Sequence, residues 1–101
     1  MIKFNEVLND YLKRTGFVLE DIILKSKDRR ISESRQLLWL LFKEIDPLVR
    51  YKDIVDFMDT IGHKTTVSNV QQGVKMIEDK ISYKKYKYYK DILYSCLDTH
   101  V

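Results

Sequence analysis

The sequence predicts an all-α fold, a compact domain of five or six helices. Apolar residues recur at spacings of three and four along most of the 101 residues, as they do on one face of an α-helix. The chain has only three glycines and one proline, so residues that interrupt helices are scarce. Hydrophobic residues make up 45% of the chain, which is enough to form the core of one domain over residues 1–101.

Two helices are predicted in the first quarter of the chain, followed by a basic loop. Between residues 4 and 13 the apolar side chains follow helical spacing: Phe4, Val7, Leu8, Tyr11 and Leu12. Gly16 is a natural point for the chain to leave this helix, and a short helix is expected over residues 19–24. Residues 25–30 carry four basic side chains, one acidic side chain and no apolar period, which predicts an exposed basic loop.

A long apolar helix is predicted in the middle of the chain. Ser32 can cap its start by accepting a hydrogen bond from a backbone N–H, and Glu33 suits the positive end of the helix dipole. Residues 37–42 are apolar nearly all round, which is typical of a helix buried by several neighbours. A buried β-strand is the alternative for such a run, but the polar residues on both sides extend the segment to about 14 residues. Asp46-Pro47 then ends the helix.

Two further helices joined by a tight turn are predicted between residues 51 and 79. The first covers residues 51–61 and ends at Gly62, and the second runs from Lys64 or Thr65 to Asp79. At 100° per residue, four apolar side chains of the second helix fall within an arc about 80° wide. We expect these four to be buried against Ile54, Phe57 or Met58: Val67, Val70, Val74 and Ile77. The opposite face is mostly small and polar, with Lys64 and Lys75 at its flanks.

The closing segment over residues 83–90 alternates tyrosines and lysines, and two interpretations of it are open. Basic residues with aromatic neighbours can bind phosphates and stack on bases. Alternatively, the segment begins an amphipathic closing helix with solvated lysines, because helical spacing relates Tyr86, Tyr89, Leu93 and Cys96. Cys96 is the only cysteine, so an intramolecular disulfide is impossible, and we expect it to be a buried core residue.

The sequence does not favour an enzyme. Its only histidines are His63 and His100, no Cys/His set has metal-ligand spacing, and no glycine-rich phosphate loop occurs. We therefore expect no catalytic residue, cofactor, metal or bound nucleotide. No apolar run approaches the ~20 residues of a membrane span, and the N-terminus lacks the apolar core of a signal peptide. These observations predict a cytoplasmic protein that has no membrane partner.

The helix pair at residues 51–79 has the form of a DNA-binding helix-turn-helix. Side chains near the start of a recognition helix reach base edges in the major groove. Threonine there can contact a thymine methyl or a phosphate, and lysine can donate to guanine. A plain helical hairpin in which Thr65 only caps the helix is the alternative, and this segment alone does not separate the two.

A family resemblance extends over residues 4–97. The stretch His63-Lys64-Thr65-Thr66-Val67 resembles the Asp-His-Thr-Thr-Val signature of the C-terminal DNA-binding domain of the bacterial replication initiator DnaA. The basic residues at 26–30, followed by Arg35-Gln36, resemble that family's basic loop and the start of its central helix. His63-Lys64 departs from the signature Asp-His, and the loop is about two residues shorter than the family's. The resemblance does not include the family's ATPase domain.

The resemblance implies a role for each matching residue. The basic loop would enter the minor groove, the start of the central helix would hold phosphates, and the Thr-Thr pair would begin the major-groove helix. Together with the polar face of that helix, this gives the predicted DNA-binding residues: Lys27, Arg29, Arg30, Arg35, Gln36, His63, Lys64, Thr65, Thr66, Ser68, Asn69 and Gln72.

The sequence thus predicts a small protein that binds double-stranded DNA, as a regulator or an accessory replication factor of a bacterium or mobile element. The alternative is a helical module that kept the fold and now binds a protein partner through its Tyr/Lys-rich C-terminal helix. Dependence of binding on Lys27, Arg29 and Arg30 would favour DNA. Dependence on Tyr83 and Tyr88 would favour the protein partner.

Overall fold

A computed structural model describes residues 2–24 and 28–100, which form six α-helices with short connections. The helices are α1 (Phe4–Thr15), α2 (Leu19–Ile23), α3 (Arg29–Ile45), α4 (Tyr51–Thr60), α5 (Val67–Ile81) and α6 (Lys87–His100), with a 3₁₀ turn at Lys84–Tyr86 before α6. No residue within these two ranges lies in a β-strand, so the all-α prediction is confirmed. No helix in the described part of the chain is both long and apolar enough to cross a membrane.

Helix α3 lies at the centre of the domain, as predicted. It packs against α1, α2, α5 and α6, and the side chains of Leu37, Leu38, Leu41 and Phe42 have no contact with solvent. A helix surrounded by neighbours has no side left for water, which explains why residues 37–42 are apolar all round. The helix ends at Ile45, because the following Asp46 adopts an extended conformation just before Pro47.

The start of α3 differs from the prediction. Asp28, not Ser32, is the N-cap, and its side chain accepts a hydrogen bond of 2.8 Å from the backbone N–H of Arg30. Aspartate caps helices as well as serine does, and arginine has a high helix propensity. Arg29 and Arg30 therefore belong to the first turn of the helix and not to a basic loop. The rest of that predicted loop, Lys25–Lys27, lies outside the described residues.

Helix α5 is held on its buried side by three of the four predicted apolar residues. Val70 and Ile77 are fully buried and Val74 nearly so, where α5 packs against α3 and α4. The prediction for Val67 is wrong, because this residue is 42% exposed. Val67 is the first residue of α5. The position of Val67 around the helix axis matches that of the buried valines. That position does not reveal that the first turn of α5 extends beyond the helices that cover the rest of it.

Helix α6 closes the domain against α1 and α3. Ile92, Leu93 and Cys96 are buried, which confirms an amphipathic helix. Burial, with a contribution from the nearby Asp10 carboxylate, raises the pKa of the Cys96 thiol to about 11. The thiol therefore stays protonated at neutral pH, as expected of a core cysteine. Tyr88 does not join the core, because 61% of its side chain is exposed.

The packing of α5 predicts opposite outcomes for the same substitution at two of its valines. Val70→Asp should abolish the cooperative thermal unfolding transition monitored by circular dichroism. An unpaired charge at a fully buried position costs several kcal/mol, against a total stability of about 5–15 kcal/mol.

Val67→Asp is the matched control. It places the same charge on an exposed position in the first turn of the same helix, where the helix dipole favours a carboxylate. We expect its transition temperature to stay close to that of the unmodified protein. Equal loss of stability in both variants would contradict the described position of α5.

Candidate nucleic-acid interface

The turn between α4 and α5 is fixed by backbone hydrogen bonds. After α4, the N–H of Gly62 donates to the carbonyl of Asp59 at 3.1 Å, and the N–H of His63 donates to the carbonyl of Met58 at 2.8 Å. This pair of bonds is the Schellman motif, in which the residue after the helix cap takes a positive φ. Gly62 has φ +102° and supplies that conformation without the strain that a side chain would cause.

Helix α5 begins directly after this turn, with Thr66 as its N-cap. The Thr66 hydroxyl accepts a hydrogen bond of 3.1 Å from the backbone N–H of Asn69. The predicted helix start at Lys64 or Thr65 is therefore too early, and the capping role belongs to Thr66 and not Thr65. Thr66 is exposed although its hydroxyl is engaged.

The first two turns of α5 present a polar surface. Ser68, Asn69 and Gln72 are exposed, and Lys64 is exposed in the preceding turn. Thr65 is half-buried. The valine side of α5 faces α3 and α4, so these polar side chains are left on its outer side. We call the following set the α5 polar face: Lys64, Thr66, Ser68, Asn69 and Gln72.

Two of the predicted DNA-binding residues, Arg35 and His63, are instead buried at the end of α2. Only 7% of Arg35 and 5% of His63 are exposed. Arg35 Nε donates to the carbonyl of Ile22 at 2.7 Å, and a second guanidinium nitrogen donates to the carbonyl of Leu24. His63 Nδ1 lies 3.0 Å from the carbonyl oxygen of Ile23. Because that oxygen can only accept, Nδ1 carries the proton.

These contacts satisfy three successive backbone carbonyls at the end of a short helix. The last carbonyls of any helix lack partners within it, and basic side chains suit its negative end. Arg35 comes from α3 and His63 from the turn before α5, so the end of α2 is fastened to both. The prediction that these two residues contact DNA does not fit their burial, and we assign them a positioning role.

Two exposed arginines lie in the first turn of α3, Arg29 and Arg30. The Arg30 guanidinium lies 5.6 Å from the centre of the Phe17 ring, and Arg30 lines a groove together with Tyr88 and Tyr89 of α6. Arg30 therefore lies beside the first turn of α6. Lys27 lies outside the described residues.

A shallow groove joins the start of α3 to the α5 polar face. Ser32, Gln36 and an edge of the mostly buried Arg35 line it from α3, and Asn69, Gln72 and Met76 line it from α5. Trp39 and Gly73 also line it, where the two helices approach closely. A Cβ added at Gly73 would lie 2.9 Å from the Trp39 ring, so only glycine permits this approach. Gln36 is half-buried here, unlike the exposed polar side chains of α5.

One buried ion pair could not be predicted from the sequence. Glu33, expected only to suit the helix dipole, is 5% exposed and lies 2.9 Å from the Lys80 ammonium of α5. The Tyr89 hydroxyl of α6 donates to the same carboxylate at 3.3 Å. Burial and the Glu33 charge together raise the pKa of Tyr89 to about 12. These partners lie 47 and 56 residues from Glu33, beyond the reach of any local pattern.

Comparisons of the chain with protein families, with curated proteins and with solved structures gave no match. Within residues 2–24 and 28–100, no group of three or more His, Cys, Asp or Glu side chains is arranged to hold a metal ion. The α5 polar face presents exposed amides, hydroxyls and one cation beside a helix N-terminus.

The buried guanidinium of Arg35 predicts a loss of stability on truncation. Arg35→Ala should lower the free energy of unfolding by about 2–3 kcal/mol, because two carbonyls lose charge-assisted hydrogen bonds in a water-poor site. Chemical denaturation followed by circular dichroism measures this change.

Arg29→Ala is the matched control, because it removes an exposed arginine from the first turn of the same helix. Its free energy of unfolding should change by less than about 0.5 kcal/mol. If Arg35→Ala kept full stability and lost only affinity for duplex DNA, Arg35 would be the phosphate contact that the family resemblance implied.

Proposed function

We propose that this protein binds double-stranded DNA in a sequence-specific manner, with α5 entering the major groove. The observation that carries the proposal is the α5 polar face, which follows a tight turn at the start of a helix supported from behind by α4. An α-helix with its side chains is about 10–12 Å across, and the major groove of B-DNA is about 12 Å wide. Helix-turn-helix proteins read bases with this part of the second helix.

The residue types on the α5 polar face suit base edges. Asparagine and glutamine can form paired hydrogen bonds with adenine, serine can donate or accept, and lysine can donate to guanine. Thr66 is exposed, and a threonine methyl can contact the methyl group of thymine. Asn69 and Gln72, one turn apart on α5, would contact neighbouring base pairs.

The charges around this face suit the DNA backbone. Arg29 and Arg30 are exposed cations in the first turn of α3, and the N-terminus of α5 itself favours a phosphate. The formal net charge of the chain is only +3. Its attraction to DNA therefore depends on where the cations lie and not on the total charge. Phosphate contacts from the two arginines would orient the domain, and α5 would supply the specificity.

The family resemblance supports the same function, and it suggests a role as a small regulator or an accessory replication factor in a bacterium or mobile element. Binding to a protein partner is the second candidate, favoured by Tyr83 and Tyr88, which are each more than 60% exposed. If the protein bound no duplex even at low salt, this second candidate would replace DNA binding.

Lys64→Ala should change which DNA sequences the protein prefers. A lost base contact removes about 1–3 kcal/mol of discrimination at one position, whereas a lost phosphate contact weakens binding to all sequences alike. Selection of bound duplexes from a random pool, before and after the substitution, measures the preference.

Lys13→Ala is the matched control, since it removes one exposed lysine from the last turn of α1. It should leave the ranked set of selected sequences unchanged. An identical ranked set for Lys64→Ala and the unmodified protein would exclude Lys64 as a specificity residue.

Replacing Arg29 and Arg30 together by alanine should weaken binding to every duplex. If both side chains displace counterions, the slope of log affinity against log salt should become shallower by about 1.8. Titrations at several salt concentrations measure this slope. Retention of the full slope would remove both arginines from the binding surface, and an effect confined to A·T-rich sites would mean that they recognise a narrow minor groove.

A further inference from the structure

The tyrosines of the C-terminal segment are only partly explained by the core. Tyr86 and Tyr89 are half-buried, with their rings stacked at 5.8 Å. In contrast, Tyr83 and Tyr94 are 62% and 54% exposed. An exposed tyrosine presents a flat apolar ring that a partner can cover. Exposed aromatic residues grouped in this way are characteristic of binding surfaces.

Tyr83 and Tyr94 line one groove between the end of α5 and α6, with three exposed lysines beside them: Lys84, Lys87 and Lys90. Lys87, Lys90 and Tyr94 follow one another at spacings of three and four, so they share one face of α6. The floor includes Ile81, the last residue of α5. We call this surface the Tyr83–Tyr94 groove.

The charge of the Tyr83–Tyr94 groove is positive. Its lining has three lysines and a single acidic residue, Asp91. Asp91 is 3.3 Å from the Lys87 ammonium, so Lys84 and Lys90 remain in excess over the acidic charge. The groove therefore combines two accessible aromatic rings with cations placed beside them.

We propose that the Tyr83–Tyr94 groove binds single-stranded nucleic acid. Unpaired bases stack on the rings of Tyr83 and Tyr94, and phosphates bind to the neighbouring lysines. Aromatic rings set along a basic groove are the usual means of holding single strands without strong sequence preference. The volume of the groove, about 550 Å³, lies within the range of 300–1,000 Å³ typical of small-molecule sites.

The combination favours a single strand over other anionic partners. In a duplex the base faces are already stacked on one another, so they are closed to the two rings. An acidic peptide would satisfy the lysines and leave both rings in water. Each unpaired nucleotide, in contrast, carries one phosphate and one flat base. The groove begins at Ile81, the C-terminal end of α5, about 14 Å along the helix from Gln72 and about 20 Å from Ser68, so it is a separate surface.

The test measures binding of a fluorescein-labelled oligothymidylate of about 10 nucleotides, a length within the usual site sizes, by fluorescence anisotropy at low salt. Replacing both Tyr83 and Tyr94 by serine should weaken binding by about 5- to 150-fold for each stacked base that is lost. Replacing both by phenylalanine should preserve the affinity, because stacking uses the ring and not the hydroxyl. Lys84→Gln with Lys90→Gln should make the salt slope shallower by about 1.4.

Tyr88→Ser is the matched control. Like Tyr94, Tyr88 lies on α6 and is well exposed, at 61%, but it lines a different groove. It should leave the affinity unchanged, and circular dichroism should show all variants folded. The proposal would be overturned if the double serine variant kept its affinity for oligothymidylate. It would also be overturned if Tyr88→Ser or the double phenylalanine variant lost as much affinity as the double serine variant.

Two further measurements separate the other partners. The double serine variant is compared on a duplex of oligothymidylate and oligoadenylate. If its affinity for this duplex fell as much as its affinity for the single strand, the groove would be part of a duplex-binding surface and the proposal would be overturned. Binding of polyglutamate that depended equally on Tyr83 and Tyr94 would assign the groove to an acidic protein. Lys64→Ala should not affect single-strand binding, so failure of duplex recognition by α5 is distinguishable from failure of this proposal.

Discussion

The candidate DNA-binding surface depends on how the end of α2 is held. Helix α2 has only five residues, too few to be stable alone, and its last carbonyls need donors from elsewhere. Arg35 and His63 supply those donors from α3 and from the turn before α5. These two buried side chains therefore fix the end of α2 relative to both α3 and the turn before α5. A positioning role of this kind agrees with their burial, since only 7% of Arg35 and 5% of His63 are exposed.

The buried side of helix α5 is held in place by three different kinds of contact. Val70 and its neighbours bury an apolar stripe, Gly73 allows close approach to α3, and Lys80 near the last turn pairs with buried Glu33. A buried pair contributes little net stability, but breaking it leaves an uncompensated charge, so it disfavours any other register of α5 on α3. With one side fixed in this way, the polar side chains of α5 remain outside at defined positions.

The order and type of the helices could be predicted from apolar periodicity, because each amphipathic face is a local property of the chain. Errors arose where a local pattern had two solutions or where the partner was distant in sequence. Asp28 and Ser32 are both good caps, and only packing selects Asp28. Arg35 and His63 have the residue types of DNA contacts, and nothing nearby shows that backbone carbonyls 13 and 40 residues away are their partners. For Ser68, Asn69 and Gln72, the position around the helix axis was enough to predict exposure, whereas the same argument failed for Val67 at the helix start.

Trp39, the only tryptophan of the chain, gives the contact between α3 and α5 an optical signature. Its ring lies against Gly73, and only 4% of the residue is exposed. An indole buried to this degree emits fluorescence at shorter wavelength than one in water. Movement of α5 away from α3 would admit water to the N–H and shift the emission to longer wavelength. The protein therefore carries an intrinsic reporter beneath its proposed recognition helix, and no added label is needed to follow that helix.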